Sequence, residues 1–210
     1  DMEGNFRLRL AVEKARSSNM PKENIERAIK RGTGDAKDGT ILEQVTYEGY
    51  ATNGVAVMIE CVTENRNRTV AELRHSLLRA GGNLGEAGSV GWQFTRAAYF
   101  SVPLNGKSFD ALFELAVDGG ADDVTQDDDY AEIFAPVSMF KTISDKLRAG
   151  GFQPDEAMLK MIPNQEMELS VQDTLQVLRA IENIEELEDV QYVYSNLKIT
   201  EEAMAALENE

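Results

Sequence analysis

Residues 45–94 read VTYEGYATNGVAVMIECVTENRNRTVAELRHSLLRAGGNLGEAGSVGWQF, and the fold turns on them. VTYEGYA (45–51) and GVAVMIECVT (54–63) are rich in β-branched and aromatic residues. Between them Thr52-Asn53-Gly54 is a turn signal, so the pair reads as a hairpin. From Thr69 to Ala80 the spacing changes to that of a helix, with Val70, Leu73, Leu77 and Leu78 on one face. Gly81-Gly82 ends that helix. SVGWQF (89–94) and AAYFSVPL (97–104) then predict two more strands around Thr95-Arg96.

Downstream the alternation continues. SFDALFELAVDGG (108–120) predicts a helix capped by Ser108, with apolar residues at 109, 112, 113, 115 and 116. DDVTQDDDYAEIFAP (122–136) predicts two short strands about an acidic turn. VSMFKTISDKLRAGG (137–151) is a helix capped by Ser138 and stopped at Gly150-Gly151, and DEAMLKMIP (155–163) a strand. SVQDTLQVLRAIENIEELEDV (170–190) holds a long helix with Leu175, Leu178 and Ile181 on its apolar face. VQYVYSNLKI (190–199) is a last strand, and the acidic tail to Glu210 is expected to fray.

Upstream, NFRLRLAVEKARS (5–17) is a helix. A second one starts with Pro21 in its first turn, carries Ile25, Ala28 and Ile29 as a narrow apolar stripe, and ends at Gly32. Two short helices bury too little to stand alone, so they read as the remnant of a bundle begun upstream. GTGDAKDGT (32–40) is a linker by composition. The fold class is therefore α+β: an N-terminal helical bundle remnant (1–39) followed by two ferredoxin-like α/β plait domains, one inserted in the other. The first comprises 40–104 and 165–200, and the inserted acidic one 105–164.

The net charge of −16 argues by itself against a nucleic-acid partner, but it is unevenly spread. Residues 1–34 carry eight Lys/Arg against five Asp/Glu, a charge of +3; residues 35–104 carry −2, and residues 105–210 carry −17. Such segregation orients a protein on a polyanion; the plainer reading is that an acidic half confers solubility. No run of apolar residues is long enough for a membrane helix. The single cysteine, Cys61, sits in an apolar strand, excludes a disulfide framework, and suits a reducing compartment, so a cytoplasmic location is expected.

Catalytic chemistry finds little support. His75 is the sole histidine, and it falls away from the centre of its helix's apolar face, as an ordinary surface histidine would. DDVTQDDDY lacks the glycine and glutamate of a calcium loop and reads as a solvated turn. The glycines at 81–88 lack the Gly-Lys-Ser/Thr end of a phosphate loop. No enzyme, metal or cofactor is expected.

A binding surface is better supported. Arg66 and Arg68 precede the helix, alternating with Asn65 and Asn67, where helix N-terminal amides and guanidinium forks together suit phosphate. The competing reading is a polar turn, with Thr69 capping the helix and Glu72 closing a capping box. Asn83 lies among glycines that allow close backbone approach. Lys22, Arg27, Lys30 and Arg31 on the second helix add cations that could meet phosphates. No helix-turn-helix and no aromatic stacking platform is evident, which favours backbone and shape contact over base readout.

NMPKENIERAIKRGTG (19–34), YEGYATNGVAVMIECVTENRNRTVAELRHSLLRAGGNLGEAGSVGWQF (47–94) and MIPN (161–164) together closely resemble the YebC/PmpR family. The resemblance implies a helical N-terminal domain and two α/β plait domains. Members usually begin with a lysine-rich segment bearing a GHSKW-like motif, which is absent here, so an N-terminal truncation is expected and −16 understates the basic end. ATNGVA departs from the more usual Gly-Pro-Gly-Gly in the hairpin turn. The resemblance implies a DNA-binding transcriptional regulator or, as its alternative, a ribosome-associated translation factor that eases difficult sequences such as proline runs. DNA or ribosomal RNA would be the partner. Two further readings are an adaptor whose acidic half docks a basic protein, and, on fold analogy alone, a small-molecule sensor.

Overall fold

The computed structural model describes residues 5–33 and 41–207. Most of the expected 32–40 linker and the last three residues of the tail lie outside them. Among the described residues there are seven α-helices and eight strands, arranged as two four-stranded sheets.

The helices α1 (Phe6–Ser17) and α2 (Lys22–Gly32) come first. Asn5 caps α1 by accepting from Leu8 N. Then follow β1 (Glu43–Tyr50), β2 (Ala56–Thr63), α3 (Arg66–Arg79) and the two-residue β3 (Asn83–Leu84). The middle of the chain gives β4 (Phe94–Pro103), α4 (Phe109–Asp118), β5 (Asp123–Asp127), β6 (Tyr130–Pro136), α5 (Phe140–Ala149) and β7 (Glu156–Pro163). The last elements are α6 (Val171–Glu185), β8 (Val190–Ser195) and α7 (Glu201–Leu207).

Two compact units divide the chain. One takes the residues up to Ala28 together with Arg96–Lys160; the other takes Ile29–Thr95 together with the residues from Met161. β4 lies in the first unit and pairs with β6 along its length, from Ala97↔Pro136 to Pro103↔Tyr130. Ala98, Phe100 and Val102 of β4 are accordingly core residues there, with Leu112, Ala116, Ile133, Ile143 and Leu147. The chain order in this sheet is β-α-β-β-α-β, and the strand order is β5-β6-β4-β7. Leu10 of α1 packs against the same core.

In the second unit the strand order is β3-β1-β2-β8, with every neighbouring pair antiparallel. Its central strands are the β1–β2 hairpin, turned by Asn53 and Gly54 at φ 60° and 77° as the Asn-Gly signal requires. Val55, Val57, Ile59 and Cys61 alternate onto one face of the sheet and meet Leu73 and Leu77 of α3 and Val177 and Ile184 of α6.

Several local expectations shift. The buried stripe of α6 is Thr174, Val177, Ala180 and Ile184, with Leu178 and Ile181 flanking it. On α3, Leu78 is 59% exposed and Thr69 takes the place expected for it in the buried stripe. Residues 91–93 form a 3-10 turn where a strand was expected. Ser138 lies within a 3-10 turn and does not cap α5. The tail from Glu201 to Leu207 is helical, with Ala203 buried.

Candidate nucleic-acid interface

The N-terminus of α3 is set by Asn65. Its backbone is extended, and its side chain accepts from Arg68 N at 3.2 Å, so the helix begins at Arg66. Thr69 is therefore not the cap. It stands one turn in, 1% exposed, and its hydroxyl donates to Oδ2 of Asp189 at 2.7 Å. The Thr63 hydroxyl donates to the same oxygen at 3.2 Å, and Arg68 Nη2 donates to Oδ1 at 2.8 Å. Asp189 is 5% exposed and precedes β8. Its burial raises the pKa, but hydrogen bonds from Thr69, Arg68 and Thr63, with the charge of Arg68, outweigh that and hold the carboxyl below its ordinary value. Burial and the nearby Asp189 charge push the Cys61 thiol up to about 12, which keeps it protonated and inert.

Three of the remaining candidate cations meet acids at the surface. Arg66 Nε donates to Glu43 at 2.5 Å, Arg31 Nη2 to Glu64 at 3.2 Å, and Lys22 lies 3.7 Å from Glu26. All these partners are solvent-exposed, so each pair adds little to stability and opens readily to a competing anion. Among the described residues Arg27 and Lys30 make no ion pair; Arg27 and Arg31 lie four apart on one face of α2. The structure thus brings Arg31, Asn65, Arg66 and Arg68 together around the start of α3.

Asn83 is not part of that group. It lies in β3 opposite Tyr50, beyond the far end of a 14-residue helix, about 20 Å away by helical rise. Its carbonyl comes so close to β1 that a Cβ on Gly49 would stand 2.6 Å from it. The segment after Asn83 has its own anchor, which the sequence reading missed. Glu48 of β1 accepts three backbone N–H groups: Gly88 at 2.8 Å, Val90 at 2.8 Å and Gly91 at 2.7 Å. Its burial raises the pKa, and the three amides outweigh that and lower it. Two of these N–H groups, those of Val90 and Gly91, lie in the 89–94 segment and go to Glu48 instead of a strand ladder, and a 3-10 turn stands at 91–93. The signal in the sequence was an acid near the end of β1, Glu48, followed later by the glycine-rich 81–91 segment.

His75 is exposed on α3, as expected of an ordinary histidine. Among the described residues no three His, Cys, Asp or Glu side chains gather as a metal site, and no helix is long and apolar enough to cross a membrane.

Residues 1–35 match the family described as the TACO1/YebC protein N-terminal domain, and residues 42–197 match the TACO1/YebC second and third domain. A "Probable transcriptional regulatory protein CT1665" of Chlorobaculum tepidum is 44% identical over 211 residues, covering 100% of this chain and 84% of its own. A "Probable transcriptional regulatory protein" of Tolumonas auensis is 47% identical over 205 residues, covering 97% and 82%. The crystal structure of a conserved hypothetical protein, Aq1575 from Aquifex aeolicus, superposes with a TM-score of 0.85 at 39% identity, covering 96% of this chain and 83% of that one. With both family regions matched and relatives of this identity along nearly its whole length, the chain belongs to the TACO1/YebC family.

Proposed function

We propose that the protein is a non-enzymatic, cytoplasmic nucleic-acid-binding regulator of gene expression that acts on DNA to control transcription. The observation that carries this reading is the group of cations at the start of α3 with Arg31, whose partner Glu64 lies just before that helix. Arg31 and Arg66 are paired only with exposed acids, and Arg27 and Lys30 pair with none among the described residues. Lys22, Arg27, Lys30, Arg31 and Arg66 meet phosphates. Exchanging Glu43 or Glu64 for a phosphate costs little, since both pairs are already solvated. Arg68 and Asn65 shape the surface, one through Asp189 and the other as the helix cap. Asn83 adds a separate contact. The names of the relatives support a regulator. The β-α-β-β-α-β order and strand order β5-β6-β4-β7 support a plait for one unit, and the three-domain division is read alongside it.

Phosphate contacts release counterions, so affinity should fall steeply with salt. Binding to duplex DNA and to ribosomal RNA, measured across a salt series with the full chain, tests this. A salt-independent or undetectable response to both ends the nucleic-acid reading. Salt-dependent binding to ribosomal RNA alone replaces transcription with translation.

A further inference from the structure

Trp92 is the only tryptophan in the chain, and it is 73% exposed. An aromatic ring left this open is ordinarily free to move; this one is tethered by its indole N–H, and the backbone that carries it is held from several sides. The indole Nε1 donates to Ser89 O at 3.1 Å, which fixes the ring against its own loop. Asn164 Nδ2 donates to the carbonyl of Trp92 at 3.1 Å, and Asn164 N donates to the carbonyl of Gln93 at 2.8 Å. Asn164 is itself held, because its Oδ1 accepts from Thr95 Oγ1 at 2.6 Å. Immediately before the tryptophan, Glu48 grips the amides of Gly88, Val90 and Gly91, and Val90 is fully buried. The loop is therefore anchored on both sides of a ring whose surface faces water.

The anchoring of the loop does not use this ring: Asn164 donates to the main-chain carbonyls of residues 92 and 93, which any residues there would supply, and only the bond to Ser89 O involves the indole. A pre-fixed aromatic surface loses little conformational freedom when something stacks on it. The loop residues beside it, Glu86, Ala87 and Gly88, are exposed and small or polar, as are Asn164, Gln165 and Glu166. That is not the contiguous apolar patch on which a folded protein docks. It suits a flat ligand that is satisfied by one ring face, and among nucleic-acid groups that is an unpaired base.

We infer that Trp92 is a stacking platform for an unpaired nucleobase of a single-stranded DNA or RNA segment. The inference rests on the nucleic-acid reading and adds to it a contact of a different kind, non-ionic and confined to unpaired bases. Ser89, Asn164 and Glu48 are positioning residues for it.

The single tryptophan makes the test direct. Oligo(dT), oligo(U) and a mixed-sequence duplex, each end-labelled, are titrated with the full chain. Anisotropy of the label reports binding, and Trp92 emission reports stacking. Single strands should quench the emission as they bind, and the duplex should not. Trp92→Ala should weaken single-strand binding about tenfold, and Trp92→Phe should keep it within about threefold, by the usual worth of one base–aromatic stack. The salt slope should be the same in both variants, because no phosphate contact is lost. Unchanged melting temperatures would show that the fold is intact. Binding with unquenched emission and full affinity in Trp92→Ala overturns the inference and leaves the nucleic-acid reading standing. Equal quenching by the duplex also overturns it. No binding by any oligonucleotide overturns both. Oligo(dT) and oligo(U) separate DNA from RNA as the source of the base.

Discussion

The two ends of the 64–94 stretch solve the same problem in opposite ways. At the start of α3 a carboxylate from far along the chain, Asp189, is held by side chains: two threonine hydroxyls and an arginine. In the 88–91 turn a carboxylate from the preceding hairpin, Glu48, is held by three backbone amides. The first grip depends on four residue identities at once. The second depends on one, since any residue supplies an N–H. The α3 site is thus open to disruption from either side of the contact, and the turn only through Glu48.

The largest effect should come from Asp189→Ala. It leaves the buried hydroxyls of Thr63 and Thr69 without their acceptor and Arg68 without its partner. Loss of about 2–3 kcal/mol in urea unfolding is expected, at the scale of hydrogen bonds to a charged group. A loss under about 0.5 kcal/mol would mean that the cluster is not a stabilising contact. Glu48→Gln should cost less, about 1–2 kcal/mol, because the amide keeps one accepting oxygen. Its signature is local: faster hydrogen exchange at Gly88, Val90 and Gly91, with α3 amides unchanged. Equal acceleration in both regions would erase the distinction between the two grips.

Acid sharpens the comparison further. Both carboxyls are held below their ordinary values in the folded protein. Each therefore contributes stability that is fully present above its unfolded pKa, about 4, and is lost as pH falls through the lower folded one. Unfolding free energy should be flat from neutrality to about pH 5 and then fall. The double variant Asp189→Asn/Glu48→Gln should have a shallower acid limb. An acid limb superimposable on the parent's would show that neither group is linked to folding. The smallest effect on stability is expected from Arg66→Ala, within about 0.5 kcal/mol by thermal melting, since its pair with Glu43 is exposed. In the same variant the salt slope of DNA binding should drop; an unaltered slope would remove Arg66 from the interface.

Elements whose reasons are local were open to reading from the chain. The β1–β2 hairpin follows from Asn53-Gly54, the helices α3 and α4 from their apolar period, and the end of α3 from Gly81-Gly82. What was hidden needed a partner distant in sequence. Thr69 looks like a cap until Asp189, 120 residues later, claims its hydroxyl. Arg68 reads as a phosphate ligand from the sequence alone, and only the fold shows its guanidinium donating to the same carboxylate. The SVGWQF segment has strand composition, and only the Glu48 grip makes it a turn. The stripe of α6 lay one residue off, because leucine at an edge and alanine at a centre carry the wrong apparent weights. The cations of α2 were legible in the sequence and are exposed in the fold, whereas Trp92 was read as a strand residue and its exposure depends on a loop that no periodicity describes.

The nested order of the strands has a consequence for how the chain is made. All four strands β4–β7 lie between β3 and β8 in sequence. During synthesis from the N-terminus, β4–β7 emerge by residue 163, while β2 still lacks the neighbour that residues 190–195 supply. The sheet begun first is completed last. Until then the apolar run Ala56–Thr63 has one unpaired edge, the kind of surface that recruits other chains.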